Sequence, residues 1–209
     1  MKKALLVVDI QNDFLPAGAL AISTGDQVIP VVNRLMDLSG KQSWDAIVAS
    51  QDHHPRNHAS FAATHGMRPG DIIEVRGSQQ MLWPIHCIQG SWGADFPPTL
   101  HVQKFNKIFF KGVDVEIDSY SAFFDNEKKR STGLHEFLQE KGISQIYLVG
   151  LATDYCIKYS ALDALELGYQ TFVFADGCRG VELNEGDSQE ALREIQNKGG
   201  RLLSSEVYG

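Results

Sequence analysis

The stretch QIYLVGLATDYCIKYSALDALELGYQTFVFAD, residues 145–176, contains the pattern that decides the fold. Two short apolar runs, 145–150 and 170–176, flank a segment that begins near Thr153 and ends at Gly168. In that segment apolar residues recur at helical spacing, and the polar start and the terminal glycine are the usual boundary signals of a helix. A strand, a helix and a strand in this order are typical of a parallel sheet.

The same alternation continues along the chain. Short, near-continuous apolar runs predict strands buried on both faces, namely KALLVVD, WDAIVAS, KIFFK and, more weakly, RLLSSE. Segments that begin near Asp, Ser or Thr and end at Gly predict further helices, namely DQVIPVVNRLMDLSG, STGLHEFLQEKG and DSQEALREIQNKGG. We expect one α/β domain over residues 1–209, with a Rossmann-like, mostly parallel sheet of about six strands and helices on both faces.

Composition excludes several classes of protein. The 209 residues are 43% hydrophobic, enough for one sizeable core, and 26 acidic against 19 basic residues give a net charge of -7 without a basic block for nucleic acid. No apolar run approaches the roughly 20 residues of a membrane helix, and MKKALLVVDIQNDF reads as a first strand, not a signal peptide. Cys87, Cys156 and Cys178 are few and widely spaced, which predicts free thiols in a reducing compartment, the cytoplasm.

Polar residues stand at the ends of several predicted strands. Asp9 ends the first strand, Lys111 ends KIFFK, and Cys156 lies in the turn after residues 145–150. Each has an ordinary explanation, since aspartate is common in turns, lysine protects strand edges and free cysteine is often a core residue. Ligands of open α/β sheets bind at the carboxyl ends of the strands, so the coincidence of all three there favours a shared reactive site.

Cys156 gains most from this placement. If Thr153 or Asp154 caps the following helix, the sulfur lies in the first helical turn, where backbone N–H groups and the helix dipole favour a thiolate. Asp9 can then accept the thiol proton, Lys111 can stabilise the anion, and N–H groups of the turn can hold an oxyanion. The other two cysteines lack such a helix start, and we expect them in the core or in a supporting role.

The segment QDHHPRNHASF, residues 51–61, suggests a metal site. Alternate residues of an extended chain share a face, so Asp52 and His54 can converge on one ion while His53 points away. The candidates for a third ligand are His58, Ser60 and, from WPIHC, His86. Carboxylate and imidazole suit zinc, and also manganese or iron. The alternative is a solvated polar loop that binds no metal.

The long region from about residue 53 to residue 104 is rich in Gly, Pro, His and Trp and poor in periodicity. Loops of this length in a compact domain are usually functional. Phe14, Trp83 and Tyr120 lie in loops next to the expected reactive edge, and although most aromatic residues belong to a core, these three can form a slot for a flat ring.

Taken together, these residues resemble the isochorismatase-like cysteine hydrolases and, among them, the bacterial nicotinamidases, also called pyrazinamidases. The similarity covers essentially the whole chain. VDIQNDF and GLATDYC alone mark only the superfamily, whereas the full set is highly specific. Its carriers are VVDIQNDFLPAGAL, ASQDHHPRNHASF, WPIHCIQGSWGADF, FKGVDVEIDSYSAFFDN and GLATDYCIKYSALDALELGY.

The resemblance implies a role for each candidate residue. It implies a catalytic triad, a cis peptide bond between Leu151 and Ala152, and an oxyanion hole formed by the N–H groups of Ala152 and Cys156. The triad that it implies consists of Asp9, Lys111 and Cys156. It also implies Asp52, His54 and His86 as metal ligands and Phe14, Trp83 and Tyr120 as the walls of the ring pocket.

Two positions depart from the family pattern. His53 stands where many relatives carry an aromatic residue, and the spacing places Ser60 where some relatives have a further histidine ligand. The fourth protein ligand therefore remains open among Ser60, His58 and none.

The function implied by the resemblance is hydrolysis of nicotinamide to nicotinate and ammonia through a cysteine thioester, with pyrazinamide as a second substrate, in NAD salvage. The expected cofactor is a divalent metal, zinc first and manganese or iron next, and the expected partner is a small aryl amide, without nucleic acid or membrane. The protein can be a monomer or a homo-oligomer.

Two alternative functions are a related amidase acting on a carbamoyl or other aryl amide, and a non-catalytic α/β module that binds a nucleotide or metal. The first has less need for a metal beside Trp83, and the second lacks a Gly-rich phosphate loop after the first strand.

Overall fold

The computed structural model describes residues 1–208, which form a six-stranded parallel sheet with helices on both faces. The strands are β1 (Lys2–Val8), β2 (Ala46–Asp52), β3 (Ile72–Val75), β4 (Ser78–Met81), β5 (Lys107–Lys111), β6 (Ile143–Leu151), β7 (Gln170–Arg179) and β8 (Arg201–Leu203). The α-helices are α1 (Val28–Met36), α2 (Leu134–Lys141), α3 (Lys158–Glu166) and α4 (Asp187–Asn197). The order in the main sheet is β5-β2-β1-β6-β7-β8, so the expected fold class is confirmed.

The first strand shows why the sheet is covered on both faces. Leu6 and Val8 point into the core beneath α2, α3 and α4, whereas Leu5 and Val7 point into the core beneath α1. All four side chains are buried, because successive residues of a strand face opposite sides and both sides carry helices. This explains the near-continuous apolar run in the sequence.

One element was not predicted. Residues 72–81, which sequence patterning assigned to the long irregular region, form an antiparallel hairpin of β3 and β4. Its two-residue turn contains Arg76 at φ 54° and Gly77 at φ 87°, the left-handed backbone that tight hairpins require. The hairpin lies outside the main sheet.

None of the described helices is long and apolar enough to cross a bilayer.

Gly150 allows β6 to approach β1 closely just before the turn that carries Cys156. Its φ is +129°, and a Cβ atom at this position would lie 2.2 Å from the carbonyl oxygen of Val8. The β6–β7 register also shifts between Leu148 and Gly150. A larger residue would therefore have to displace backbone, not a flexible side chain.

We expect Gly150→Ala to lower the free energy of unfolding by about 2–4 kcal/mol, as the sum of left-handed strain and overpacking. Gly199→Ala is the matched control, because Gly199 also has a positive φ, 101°, but has open space around its missing side chain. Urea unfolding measures both variants. Equal losses would show that the contact with Val8 contributes nothing beyond backbone strain.

Candidate active site

Four adjacent strands deliver the candidate reactive residues to one edge of the sheet. Asp52 ends β2 and Lys111 ends β5, and the two are paired in register, so their side chains project to the same side. Asp9 follows β1 directly, and its φ of 48° turns the chain out of the strand. Cys156 lies in the turn after β6. The predicted convergence of Asp9, Lys111 and Cys156 is confirmed.

The ammonium of Lys111 lies at the centre of this group. Its Nζ is 2.9 Å from Asp9 Oδ2 and 3.3 Å from Cys156 Sγ, and it donates hydrogen bonds to Asp52 Oδ1 and, at 3.1 Å, to the Ser119 carbonyl oxygen. Only 1% of the Lys111 surface is exposed, and Asp9 is completely buried. The lysine is therefore a buried cation that touches a carboxylate on either side, not an edge residue facing solvent.

Burial and neighbouring charges shift the pKa values of Asp9 and Asp52 in opposite directions. Burial raises the pKa of Asp9, and the attraction of Lys111 only partly opposes this. Burial would also raise the pKa of Asp52, but the ammonium of Lys111 and then His54 hold it well below the ordinary value. The pKa of Lys111 is raised well above its usual value despite burial, because Asp52 and Asp9 favour the cation. Asp9 is thus the carboxyl group suited to take up a proton.

The expectation of a thiolate favoured by a capped helix start was wrong. Residues 153–157 form one π-helical turn before α3, with no side-chain cap. The carboxylate of Asp154 instead accepts the N–H groups of Val181 and Glu182. Burial raises the pKa of the Cys156 thiol well above its ordinary value, with Lys111 opposing, so removal of the proton requires a base. The peptide bond between Leu151 and Ala152 is cis, as the resemblance implied.

The structure brings together Asp52, His54 and His86, the three residues that the resemblance implied as metal ligands. Asp52 Oδ2 lies 3.6 Å from His54 Nε2 and 3.8 Å from His86 Nε2, and one ligand atom of each lies within 4.8 Å of the others. The Nδ1 atoms donate to the carbonyl oxygens of Gly112 and Pro84, which leaves the Nε2 atom of each ring as the one that could bind an ion. Buried carboxylate and imidazole ligands with carbonyl partners on the second ring nitrogen fit a divalent metal ion.

His58 and Ser60 are the two candidates for a fourth ligand. His58, His54 and Asp118 form a second buried group with ligand atoms within 4.8 Å of one another. Ser60 is engaged by His58, whose Nδ1 lies 2.7 Å from Ser60 Oγ. Nε2 of His58 is buried and has no hydrogen-bond partner in the described chain, and burial lowers the pKa of this histidine to about 4, which keeps the ring neutral. His53 stacks on Phe110, away from the site, as expected.

Beside the cysteine and the metal-ligand cluster lies a pocket whose lining is largely aromatic and apolar. The expected wall residues Phe14, Trp83 and Tyr120 all line it. Trp83 Nε1 donates to the Tyr120 hydroxyl at 3.2 Å, which fixes one corner of the pocket. Ala152 and Cys156 line it as well.

Sequence reasoning missed four residues of the lining. These are Leu20, Asp118, Tyr155 and Val181. Tyr155 lies next to the cysteine, but its ring packs edge-on against Trp83, 4.9 Å between centroids, and only tertiary structure brings the two together. Leu20 and Val181 are apolar residues in loops without periodicity, and no sequence signal marks them. Asp118 stands in FKGVDVEIDSYSAFFDN, two residues before Tyr120, and this proximity to an expected wall residue was a usable signal.

Comparison with known proteins agrees with this geometry. The model of the isochorismatase domain matches residues 3–207. The chain belongs to the isochorismatase family. It is 46% identical over 202 residues to the nicotinamidase of Escherichia coli K12, covering 97% of this chain and 94% of that protein. A solved nicotinamidase/pyrazinamidase of Acinetobacter baumannii superposes with a TM-score of 0.93 at 42% identity, covering 99% of this chain and 97% of that one.

Two other similar structures contain ligands. A yeast nicotinamidase bound to the inhibitor nicotinaldehyde has a TM-score of 0.91 at 31% identity and covers 97% of this chain and 99% of its own. A Pyrococcus horikoshii pyrazinamidase in complex with zinc has a TM-score of 0.76 at 32% identity and covers 98% of this chain and 99% of its own. The identities and TM-scores of both structures agree with a shared fold.

We expect Lys111→Met to lower the free energy of unfolding by about 3–5 kcal/mol near neutral pH, because two buried carboxylates lose their cation. Without the ammonium the folded-state pKa values of both carboxyl groups rise above the unfolded value of about 3.9. The loss should therefore be smallest below about pH 4 and grow as pH rises through the raised pKa values.

Urea unfolding of metal-free protein from acid to neutral pH checks this expectation. Lys107→Met is the control, since Lys107 begins the same strand but is exposed. Parallel pH profiles for wild type and Lys111→Met would contradict the charge argument.

Proposed function

We propose that the protein is a nicotinamidase, which hydrolyses nicotinamide to nicotinate and ammonia and serves NAD salvage. The observation that carries this proposal is a buried cysteine beside a lysine and a carboxyl group with a raised pKa, in a pocket with aromatic walls that the metal-ligand cluster also lines. Similarity to nicotinamidases over nearly the whole chain supports it. We assign the activity to a single domain spanning residues 1–209, with pyrazinamide as a second substrate.

The triad residues have distinct roles in this proposal. Cys156 Sγ attacks the amide carbon while Asp9 takes the thiol proton, and the N–H groups of Ala152 and Cys156 hold the oxyanion. Asp9 returns that proton to the amide nitrogen, the carbon–nitrogen bond breaks, and ammonia leaves a thioester. Asp9 then takes a proton from the water that attacks the thioester and passes it to the departing sulfur, which restores the thiol. The nicotinic acid that is released ionises to nicotinate.

Lys111 supports these steps without giving up its proton. Its raised pKa keeps the ammonium charged, and its position 3.3 Å from Cys156 Sγ stabilises the sulfur as negative charge develops. Ser50 Oγ donates to Asp9 Oδ1 at 2.8 Å, which leaves Oδ2 as the oxygen that faces the lysine and exchanges the proton.

The metal-ligand cluster supports a role in ring recognition. Asp52, His54 and His86 would hold a divalent ion, for which we propose zinc, and a bound ion supplies a Lewis-acid position for the ring nitrogen. Phe14, Trp83 and Tyr120 would hold the faces and edge of the ring. An amidase for substrates without a ring nitrogen would have no use for this cluster, so the nicotinamide assignment is preferred over that alternative.

The remaining proposals concern the setting of the enzyme. Three free, buried cysteines suit a reducing compartment, for which we propose the cytoplasm. The substrate is a small aryl amide, and we propose no nucleic-acid or membrane partner.

We expect Cys156→Ala to reduce ammonia release from nicotinamide by about 10⁴-fold or more, because the nucleophile is lost. Far-ultraviolet circular dichroism and bound-metal content should be unchanged. Cys178→Ala is the matched control, since that thiol is buried in β7 outside the pocket lining, and it should retain turnover. Substantial turnover by Cys156→Ala would refute the nucleophile, and an inactive wild type on every aryl amide would refute the function.

Removing the metal should damage binding more than chemistry. We expect the chelated protein to show a higher KM for nicotinamide with a smaller fall in kcat, and zinc should reverse both changes. Steady-state ammonia release measured before and after reconstitution separates the two constants. A fall in kcat at constant KM would instead assign the ion to the thiol chemistry, which it could influence through the Asp52–Lys111 contact.

A further inference from the structure

Gln11, which follows the catalytic candidate Asp9 by two residues, binds the backbone of a metal-ligand candidate in both directions. The N–H of Asp52 donates to Gln11 Oε1 at 2.8 Å, and Gln11 Nε2 donates to the Asp52 carbonyl oxygen, also at 2.8 Å. A third hydrogen bond runs from Nε2 to the Ala94 carbonyl oxygen at 2.9 Å. The side chain is completely buried. β1 has already turned away at Asp9, so this carboxamide takes over the role of a neighbouring strand for the last residue of β2.

Asp13 performs a similar task for the loop that carries His86. Its Oδ2 accepts the N–H of Cys87, the next residue, at 2.7 Å, and its Oδ1 accepts the N–H of Ala19 at 3.1 Å. Cys87 adopts a φ of 46°, and its carbonyl oxygen accepts the N–H of His54 at 2.9 Å. One carboxylate therefore reaches both imidazole ligands through a single intervening residue.

The space around this carboxylate is closed by a residue without a side chain. A Cβ atom on Gly93 would lie 2.0 Å from Asp13 Oδ2, so a side chain at this position would displace the carboxylate. Between these two side chains, Asn12 Nδ2 donates to the Trp92 carbonyl oxygen at 2.8 Å. Three consecutive polar side chains thus tie the exit of β1 to β2 and to the segment 87–94.

We propose that Gln11 and Asp13 are positioning residues for the metal site, which set the spacing of Asp52, His54 and His86 before an ion arrives. Neither residue lines the pocket or belongs to the ligand cluster, so each acts through the backbone of a ligand or its neighbour. Fixing ligands in advance removes part of the ordering cost of ion binding, as outer-shell contacts do in other metal sites. The inference rests on the proposed ion, and not on the identity of the amide.

Zinc affinity, measured by competition with a chromophoric chelator and without substrate, tests the proposal directly. Gln11→Leu and Asp13→Asn should bind zinc about 10–100-fold more weakly than wild type. Asp13→Asn retains one acceptor oxygen and should lose less than Asp13→Ala. The visible absorption spectrum of cobalt-substituted protein should also change, because the arrangement of the ligands is altered.

Asp45→Asn is the matched control. The carboxylate of Asp45 also accepts a backbone N–H, that of Lys3 at 2.8 Å, but at the opposite end of the sheet. Its zinc affinity and cobalt spectrum should equal those of wild type. We also expect Gln11→Leu and Asp13→Asn to show a raised KM for nicotinamide that returns toward wild type at saturating zinc. Because zinc also stabilises a partly unfolded variant, all measurements are made where circular dichroism shows the zinc-free proteins to be folded.

Gly93→Ala provides a second route to the same carboxylate, since it displaces Asp13 without removing it, and it should weaken zinc binding in the same direction. Wild-type zinc affinity and an unchanged cobalt spectrum in variants of reduced stability would overturn the proposal. Failure of all four variants to fold would do the same, since both results assign these residues to fold maintenance alone. A wild type that binds zinc but releases no ammonia would refute the proposed function and leave this comparison intact.

Discussion

The site depends on one buried ammonium between two buried carboxylates. Isolated, any of the three charges would be too costly to bury, so each is stable only because the others are present. Lys111 contacts Asp9 on one side, Asp52 on the other and the sulfur of Cys156 above. The charged groups of the proposed chemistry and of the proposed metal site therefore share one cation. Neither half can be described electrostatically without the other.

Much of this arrangement could be predicted from the sequence, because parallel strands bring their carboxyl ends to a common edge. That rule placed Asp9, Lys111 and Cys156 together, and the two-residue spacing of Asp52 and His54 placed both on one face. The family resemblance singled out His86 among the candidate third ligands and implied the cis bond after Leu151, and the hydrophobic periodicity of the sequence indicates neither. The four main helices and six main strands also follow from local boundary signals.

The failures have physical causes. The hairpin of β3 and β4 was missed because its strands are four residues each and partly polar, although the turn at Arg76 and Gly77 was a usable signal. The cap at Asp154 was wrong because its carboxylate has better partners in a loop about 27 residues away in sequence. The expected thiolate at Cys156 was wrong because burial raises the pKa of the thiol by more than the neighbouring Lys111 lowers it. Each depends on tertiary contacts that a local pattern does not contain.

The register of β2 against β5 constrains how this protein can change over time. Asp52 and Lys111 are the last pair of that ladder, and successive side chains alternate between faces. Insertion of one residue into either strand would turn one of the two charges to the opposite side of the sheet and break the Asp52–Lys111 pair. Substitution of an apolar residue in either strand by another of similar size keeps this pairing. An insertion or deletion in one strand keeps it only if the other strand changes in length by the same amount. The lengths of β2 and β5 therefore constrain the Asp52–Lys111 pair more than their apolar composition does.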